Sequence, residues 1–291
     1  MAEAKIISGN LIRNQIVEEL KERINCLKNN GIIPTLAIIQ IGNNEASNAY
    51  IRNKIRLSEK LNTITLLKKY EETITENELI KVIQDLNNDD KINGIILQLP
   101  IPKHINEEKI INLISPNKDV DCFHTVNVGK LWTAKKNNIL IQPCTPCGII
   151  EMIKRSNIDL ESKNVVIVGR SNIVGKPLAA LFLLENSTVT ICHSKTKNLQ
   201  EVCKKADILV SAIGKAKFIT TDFVSANQVV IDVGMNVDEN NKLCGDVDFE
   251  NVKNIVQYIS PVPGGVGPMT VMILLKNLLT VTEETFKAKE V

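Results

Sequence analysis

Along the first hundred residues the apolar positions switch repeatedly between two spacings. In "NLIRNQIVEELKERINCLKNNG" (10–31) they recur every three or four residues, which predicts a helix closed by Gly31. "TLAIIQIG" (35–42) is a short continuous apolar run and predicts a buried strand. The same alternation continues with helix "EASNAYIRNKIRLSEKLN", strand "TITLLKK", helix "TENELIKVIQDLN" and strand "INGIILQLP". The third helix opens on Thr75 and Glu78, three residues apart as in a capping box. A short helix, "NEEKIINLIS", is stopped by Pro116. This rhythm predicts an α/β fold with a mostly parallel sheet.

Between Pro116 and Thr145 the pattern lapses into polar, irregular sequence that includes "NKDVDCFHTVNVGKLW". A helix over "TPCGIIEMIKRSN" then leads into a second strand series, "NVVIVG", "STVTICH", "DILVSAIG" and "QVVIDVG", with helix-compatible segments between them. That order suits a doubly wound sheet. A glycine–proline loop, "SPVPGGVGPM", precedes the last predicted helix, "TVMILLKNLLTVTEETF". No internal repeat or low-complexity linker interrupts the chain, so two α/β domains are expected.

Composition narrows the function classes. With 291 residues the chain can build two cores, and its 44% hydrophobic share is that of a soluble globular protein. A net charge of +2 removes the main argument for nucleic-acid or membrane-surface partners. No apolar run approaches the ~18–20 residues needed to cross a bilayer. "MAEAKIISGN" lacks the features of a secretory signal, and seven scattered cysteines fit reduced thiols, so a cytoplasmic protein is expected.

"VVIVGRSNIVGKP" (165–177) reads as strand, glycine turn and helix start, the arrangement that presents backbone N–H groups to a phosphate. Its glycines, Gly169 and Gly175, do not follow the G-x-G-x-x-G spacing, and Arg170 stands directly after the first. The next strand ends at His193, 193 − 169 = 24 residues on, where a dinucleotide site usually places an acid to read the ribose. Here "HSKTK" offers Ser194 and Thr196, two lysines and no acid. With Arg170 added, the position suits a 2′-phosphate better than a free hydroxyl, which favours NADP.

Tyr50 and Lys54 lie four apart on a predicted helix and share a face. Such a pair also marks short-chain dehydrogenases, but there it follows the cofactor loop, and here it precedes it. A tyrosine covering a lysine stem is the plain structural alternative. Gln98 sits near the C-terminal end of an apolar strand, where open α/β sheets place ligands. Asp119 and Asp121 follow in the next loop, where a carboxylate would suit a heterocycle presenting adjacent N–H donors. "CTPC" lacks a thioredoxin-like context and further zinc ligands, and His104, His124 and His193 form no triad. No metal is expected.

Taken together, "AYIRNK", "GIILQLPIP", "PNKDVDCFH", "QPCTPCG", "GRSNIVGKP", "VTICHSKT", "DILVSAIGK", "VVIDVGMN", "GDVDF" and "SPVPGGVGPMTVMILLKN" resemble, in order and spacing, the bifunctional methylenetetrahydrofolate dehydrogenase/cyclohydrolase family over nearly the whole chain. The resemblance implies a two-domain α/β fold. A folate-binding catalytic domain would comprise residues 1–142 plus 271–291, a Rossmann-like NADP-binding domain residues 143–270, with a cleft between them. It implies NADP-dependent oxidation of 5,10-methylenetetrahydrofolate to the methenyl cation, then hydrolysis to 10-formyltetrahydrofolate, by a cytoplasmic homodimer serving one-carbon metabolism.

In that scheme Lys54 activates water or relays a proton, tuned by Gln98. Tyr50 stacks on the aminobenzoyl ring and orders the lysine, and Asp121 binds the pterin edge. Leu99 and the backbone at Val262, Gly264 and Gly265 complete the substrate site. The cofactor would meet Gly169, Arg170, Ser171, Ile173, Val174 and Gly175 at the turn, and His193, Ser194 and Thr196 after the next strand. Ala212, Ile213 and Gly214, then Asp232 and Gly234, and Thr270 opening the returning helix would complete its site. Two departures stand out: Cys122 replaces a family glycine and Thr125 a common proline. If position 122 needs positive φ, cysteine costs roughly 1 kcal/mol or more. A single-activity dehydrogenase and a non-catalytic NADP-binding sensor are the competing readings.

Overall fold

The computed structural model describes residues 3–290. The chain runs through β1 (Lys5–Ile6), α1 (Gly9–Asn29), β2 (Thr35–Ile41), α2 (Glu45–Lys60), β3 (Ile64–Tyr70), α3 (Glu76–Asn88), β4 (Gly94–Leu97), α4 (Glu107–Ile111) and α5 (Thr125–Thr133). It continues through α6 (Cys144–Arg155), β5 (Asn164–Val168), α7 (Gly175–Leu184), β6 (Thr188–Cys192), α8 (Leu199–Lys204), β7 (Ile208–Ser211) and β8 (Val229–Asp232). A small hairpin, β9 (Asn236–Val237) and β10 (Leu243–Cys244), then leads to α9 (Phe249–Val252), β11 (Tyr258–Ile259) and α10 (Val266–Glu290).

Two compact units result. One holds residues 15–142 and those from 271 onward, the other the residues up to Asn14 and 143–270. The first is built on a parallel three-stranded sheet in the order β3-β2-β4. All seven residues of β2 are buried, so its uninterrupted apolar run reflects a central strand covered on both faces. β3 is the edge, and its residues are mostly exposed. On one face Ala37, Ile39 and Leu97 pack with Leu79, Ile83 and Leu86 of α3. The predicted capping box forms: the Thr75 hydroxyl accepts from the Glu78 amide, and Glu78 reaches back to the Thr75 amide.

The second unit carries a six-stranded sheet in the order β1-β11-β8-β7-β5-β6, parallel throughout. β5 lies between β6 and β7, so the strand order reverses beside it, and the carboxyl ends of these strands form the topological switch point where α/β sheets bind ligands.

Three expectations need correction. Residues 1–14 are expected to join 15–142, but β1 pairs with β11 and Ile7 N–H donates to Ile259 O, which ties the described part of this stretch to the six-stranded sheet. Residues 1, 2 and 291 of the expected ranges lie outside the described residues. The polar lapse after Pro116 contains a helix, α5, because His124 supplies its N-cap and its ring Nδ1 accepts from Val126 N–H. The last helix begins at Val266, so Thr270 lies inside its first turns and does not open it. Pro268 is tolerated there because early helical N–H groups have no carbonyl partner to lose.

Candidate active site

The first cluster depends on how α2 is anchored. Asn44 caps it, its side chain accepting from Ser47 N–H at 3.0 Å, and Ser47 Oγ donates to Leu99 O at 3.2 Å. Gln40 at the end of β2 donates to Asn48 at 2.7 Å. These bonds fix the start of the helix against the carboxyl edge of the sheet, so the face bearing Tyr50 and Lys54 turns inward. Lys54 is 7% exposed, and its Nζ donates to Gln98 Oε1 at 3.0 Å. Gln98 follows β4 directly. Its amide group donates to Leu99 O at 2.9 Å, which commits Oε1 to the lysine. Lys54 has no carboxylate partner among the described residues. Burial pushes the Tyr50 phenol above its ordinary value, so it stays neutral.

The loop carrying the two aspartates is held from three sides. Lys118 Nζ donates to the carbonyls of Leu86, Asn87 and Asp89 at the end of α3, at 3.1, 2.8 and 2.9 Å. Asp119, 2% exposed, spends its carboxylate on the amides of Phe123 and His124 and on Asn127 Nδ2. Burial pushes that carboxyl up, while Asn127 and the two amides oppose the rise. From α10, Asn277 Nδ2 reaches Val120 O at 2.8 Å and Gln142 O at 2.7 Å. Asp119 is therefore a loop-former, and the half-buried Asp121 is the carboxylate beside it. Cys122 has φ 64°, is 1% exposed and directs Sγ to Ile141 O at 3.5 Å. Thr125, the other departure, bonds Asn112 Oδ1 through its amide at 3.0 Å and through its hydroxyl.

In the six-stranded unit the β5–α7 turn is as close as a glycine turn allows. Gly169 has φ 134°, and a Cβ there would collide with the carbonyl of Ala212; a Cβ on Gly175 would collide with Gly169 O. Ser171 Oγ closes the turn ahead of α7 by accepting from the amides of Val174 and Gly175 at 3.1 and 3.3 Å. Arg170 and Ile173 are exposed, and Arg170 has no ion-pair partner among the described residues. After β6, His193 Nδ1 accepts from Lys195 N–H, and Thr196 Oγ1 accepts from the His193 amide at 2.9 Å. Both side chains shape the loop, and Ser194 is left exposed. A turn that only glycine can fill, a cation with no ion pair and a loop without an acid fit a dinucleotide with a 2′-phosphate.

Further along that edge Asp232 is 3% exposed. Its carboxylate accepts from the amides of Gly234, Asp246 and Val247. Burial pushes it up to about 7, against the pull of the Val247 and Asp246 amides, with the Asp246 charge raising it further and the Gly234 amide lowering it. Asp232 thus serves the backbone and does not offer its carboxylate outward. The loop before α10 packs on the start of α1: Asn10 N–H donates to Gly264 O at 3.1 Å, and a Cβ on Gly9 would strike Gly265 O. Gly264 has φ 99°, and Val262 precedes a cis proline. The Thr270 hydroxyl pairs with that of Thr145 at 2.9 Å. "CTPC" is simply the start of α6, with both cysteines buried. Among the described residues no group of three acidic, histidine or cysteine side chains is placed to hold a metal ion.

Two family models match the chain. One, tetrahydrofolate dehydrogenase/cyclohydrolase, catalytic domain, covers residues 7–121; the other, the NAD(P)-binding domain of the same name, covers 143–286. The chain belongs to the tetrahydrofolate dehydrogenase/cyclohydrolase family. It is similar to the bifunctional protein FolD of Bacillus cytotoxicus, with 53% identity over 274 residues that span 94% of this chain and 95% of that protein. The crystal structure of the bifunctional FolD enzyme from Campylobacter jejuni superposes with a TM-score of 0.94 at 42% identity, covering 97% of this chain and 99% of that one. The Trypanosoma brucei FolD, solved with NADP cofactor and an inhibitor, gives 0.93 at 34% identity, covering 98% and 99%.

Two residues that hold loops of the two units in place escape a motif reading. Asn277 is a polar position in the apolar run "MILLKNLLTV", and Asp246 lies within "GDVDF". Each gives a sequence signal, a lone amide in a buried stripe and an acid between apolar residues. Neither signal says which backbone groups the side chain will meet.

Proposed function

We propose that this chain oxidises 5,10-methylenetetrahydrofolate to 5,10-methenyltetrahydrofolate with NADP⁺ and then hydrolyses the product to 10-formyltetrahydrofolate. The reading extends to a homodimer working in the cytoplasm. The observation that carries it is the buried Lys54 amine bonded at 3.0 Å to a neutral, fixed Gln98. A buried amine held by a neutral amide is placed to relay a proton, the assistance that ring opening by water calls for.

NADP⁺, when bound, supplies a hydride acceptor. The chain's own part in that step is positional, because the two folate nitrogens flanking the carbon spread the positive charge left behind. Arg170 and Ser194 would hold the 2′-phosphate, and Gly169 and Gly175 let backbone approach the pyrophosphate. Tyr50, neutral and half-buried, would stack on the aminobenzoyl ring, and Asp121 would accept from the pterin's N–H edge. Gln98 holds Lys54 in place for proton relay during hydrolysis.

The test follows NADPH and the methenyl species separately in an absorbance assay. The parent is expected to perform both steps. In Lys54→Met, hydrolysis should fall ~10²–10⁴-fold, the usual worth of general acid–base assistance, with a smaller loss in oxidation and accumulation of the methenyl species. Lys54→Arg should not restore hydrolysis, since guanidinium keeps its proton. A Lys54→Met protein that hydrolyses methenyltetrahydrofolate at the parent rate would overturn the role of Lys54. A parent that oxidises but never hydrolyses would establish the single-activity alternative.

A further inference from the structure

Three consecutive amides following a strand, at the carboxyl edge of a parallel sheet, normally form a nest for an external anion. In this chain they are filled from within. After β7, the amides of Ile213 and Gly214 donate to Asp246 Oδ2 at 2.8 and 3.3 Å, and that of Lys215 donates to Asp246 Oδ1 at 2.9 Å. Ser211 Oγ adds a bond to Oδ2 at 3.1 Å and Asn236 Nδ2 one to Oδ1 at 2.9 Å, so a carboxylate with no exposed surface takes five donors. Asp246 is itself fixed by Asp232, which accepts its amide at 2.9 Å. The space around both acids is closed: a Cβ on Gly234 would collide with the Asp246 carboxylate, and one on Gly245 with that of Asp232.

The turn from Ala212 to Lys215 stands next to the β5–α7 turn, since Ala212 N–H donates to Val168 O at 2.8 Å and the Ala212 carbonyl borders Gly169. Its amides are occupied, so it cannot grip a phosphate. What it offers a dinucleotide is an outward surface whose shape Asp246 dictates. We propose that Asp246 is a positioning residue for the cofactor, holding the 212–215 turn in the one conformation that accepts NADP⁺. This rests on the dehydrogenase reading above.

The test uses the whole protein and its Asp246→Asn variant, which keeps the side chain's size but turns an NH₂ toward the amides. NADP⁺ affinity by calorimetry should fall about 10–100-fold, the worth of charge-assisted bonds left unmade. Dehydrogenase KM for NADP⁺ should rise with it while kcat at saturation changes less. Hydrogen exchange at Ile213, Gly214 and Lys215 should quicken. Ser211→Ala, which removes one of the five donors, should shift affinity the same way by a smaller factor, and serves if Asp246→Asn does not fold. Unchanged NADP⁺ affinity in a folded variant, or a lowered kcat and melting temperature with unchanged affinity, would overturn the proposal alone. A parent chain that binds no NADP⁺ would overturn the cofactor reading and the proposal with it.

Discussion

Cys122 sits with φ 64° in the middle of the loop that carries Asp121, in a region where a Cβ costs an ordinary residue roughly 1–2 kcal/mol. Its thiol is buried and directed at Ile141 O, so part of that strain is offset by packing. Comparing Cys122→Gly with Cys122→Ala isolates the backbone contribution, because both lose the sulfur. The glycine variant should be the more stable by about 1 kcal/mol, reversing the usual order in which glycine loses by roughly 0.5–1 kcal/mol. Urea unfolding measures this, and an alanine variant at least as stable would show that position 122 carries no strain. The substitution itself is plain in the sequence. Its conformation follows from the loop around it, which Lys118, Asp119 and Asn277 hold from elements far apart in the chain.

At the scale of elements, the long periodic segments were legible and the short ones were not. Four strands of the six-stranded sheet follow from apolar runs, the buried β5, β7 and β8 and the edge strand β6, but β1 and β11 are two residues each and have no period to read. α5 hides in polar sequence because its start is set by a histidine cap. The β5–α7 turn was legible in outline, since Gly169, Arg170 and Gly175 lie together in sequence, whereas the Asp246 clamp joins residues some thirty positions apart. Arg170 is exposed and without an ion pair among the described residues, so removing its guanidinium should leave the turn intact. Arg170→Ala is expected to weaken NADP⁺ binding by about 1.5–3 kcal/mol with NAD⁺ binding and melting temperature nearly unchanged. Titration with both dinucleotides decides it: equal losses would mean that Arg170 serves the turn and not the 2′-phosphate.

Across the whole molecule the chain returns at its end, through α10, to the unit that 15–142 builds. Leu278 packs where Gly94 leaves room beside Val120, Asn277 holds the carbonyls of Val120 and Gln142, and Glu283 pairs with Arg23 of α1 at 2.7 Å. Val271, Met272, Ile273, Leu274, Leu275, Leu278, Leu279 and Val281 are all nearly inaccessible to water. At about 1.5–3 kcal/mol for each buried side chain, their loss is comparable to or larger than the ~5–15 kcal/mol by which a whole domain is stable. Ending the chain after Thr270 should therefore unfold the three-stranded unit outright. Trp132, the single tryptophan, reports on that unit from α5, where it is 52% exposed and still partly shielded. In the truncated protein its fluorescence should match that of the urea-unfolded chain, with no cooperative transition. Far-ultraviolet circular dichroism should still record a melting transition, because the six-stranded sheet retains every one of its strands. A tryptophan transition at the parent midpoint would show that residues 15–142 fold without α10, and the assignment of the returning helix would be wrong.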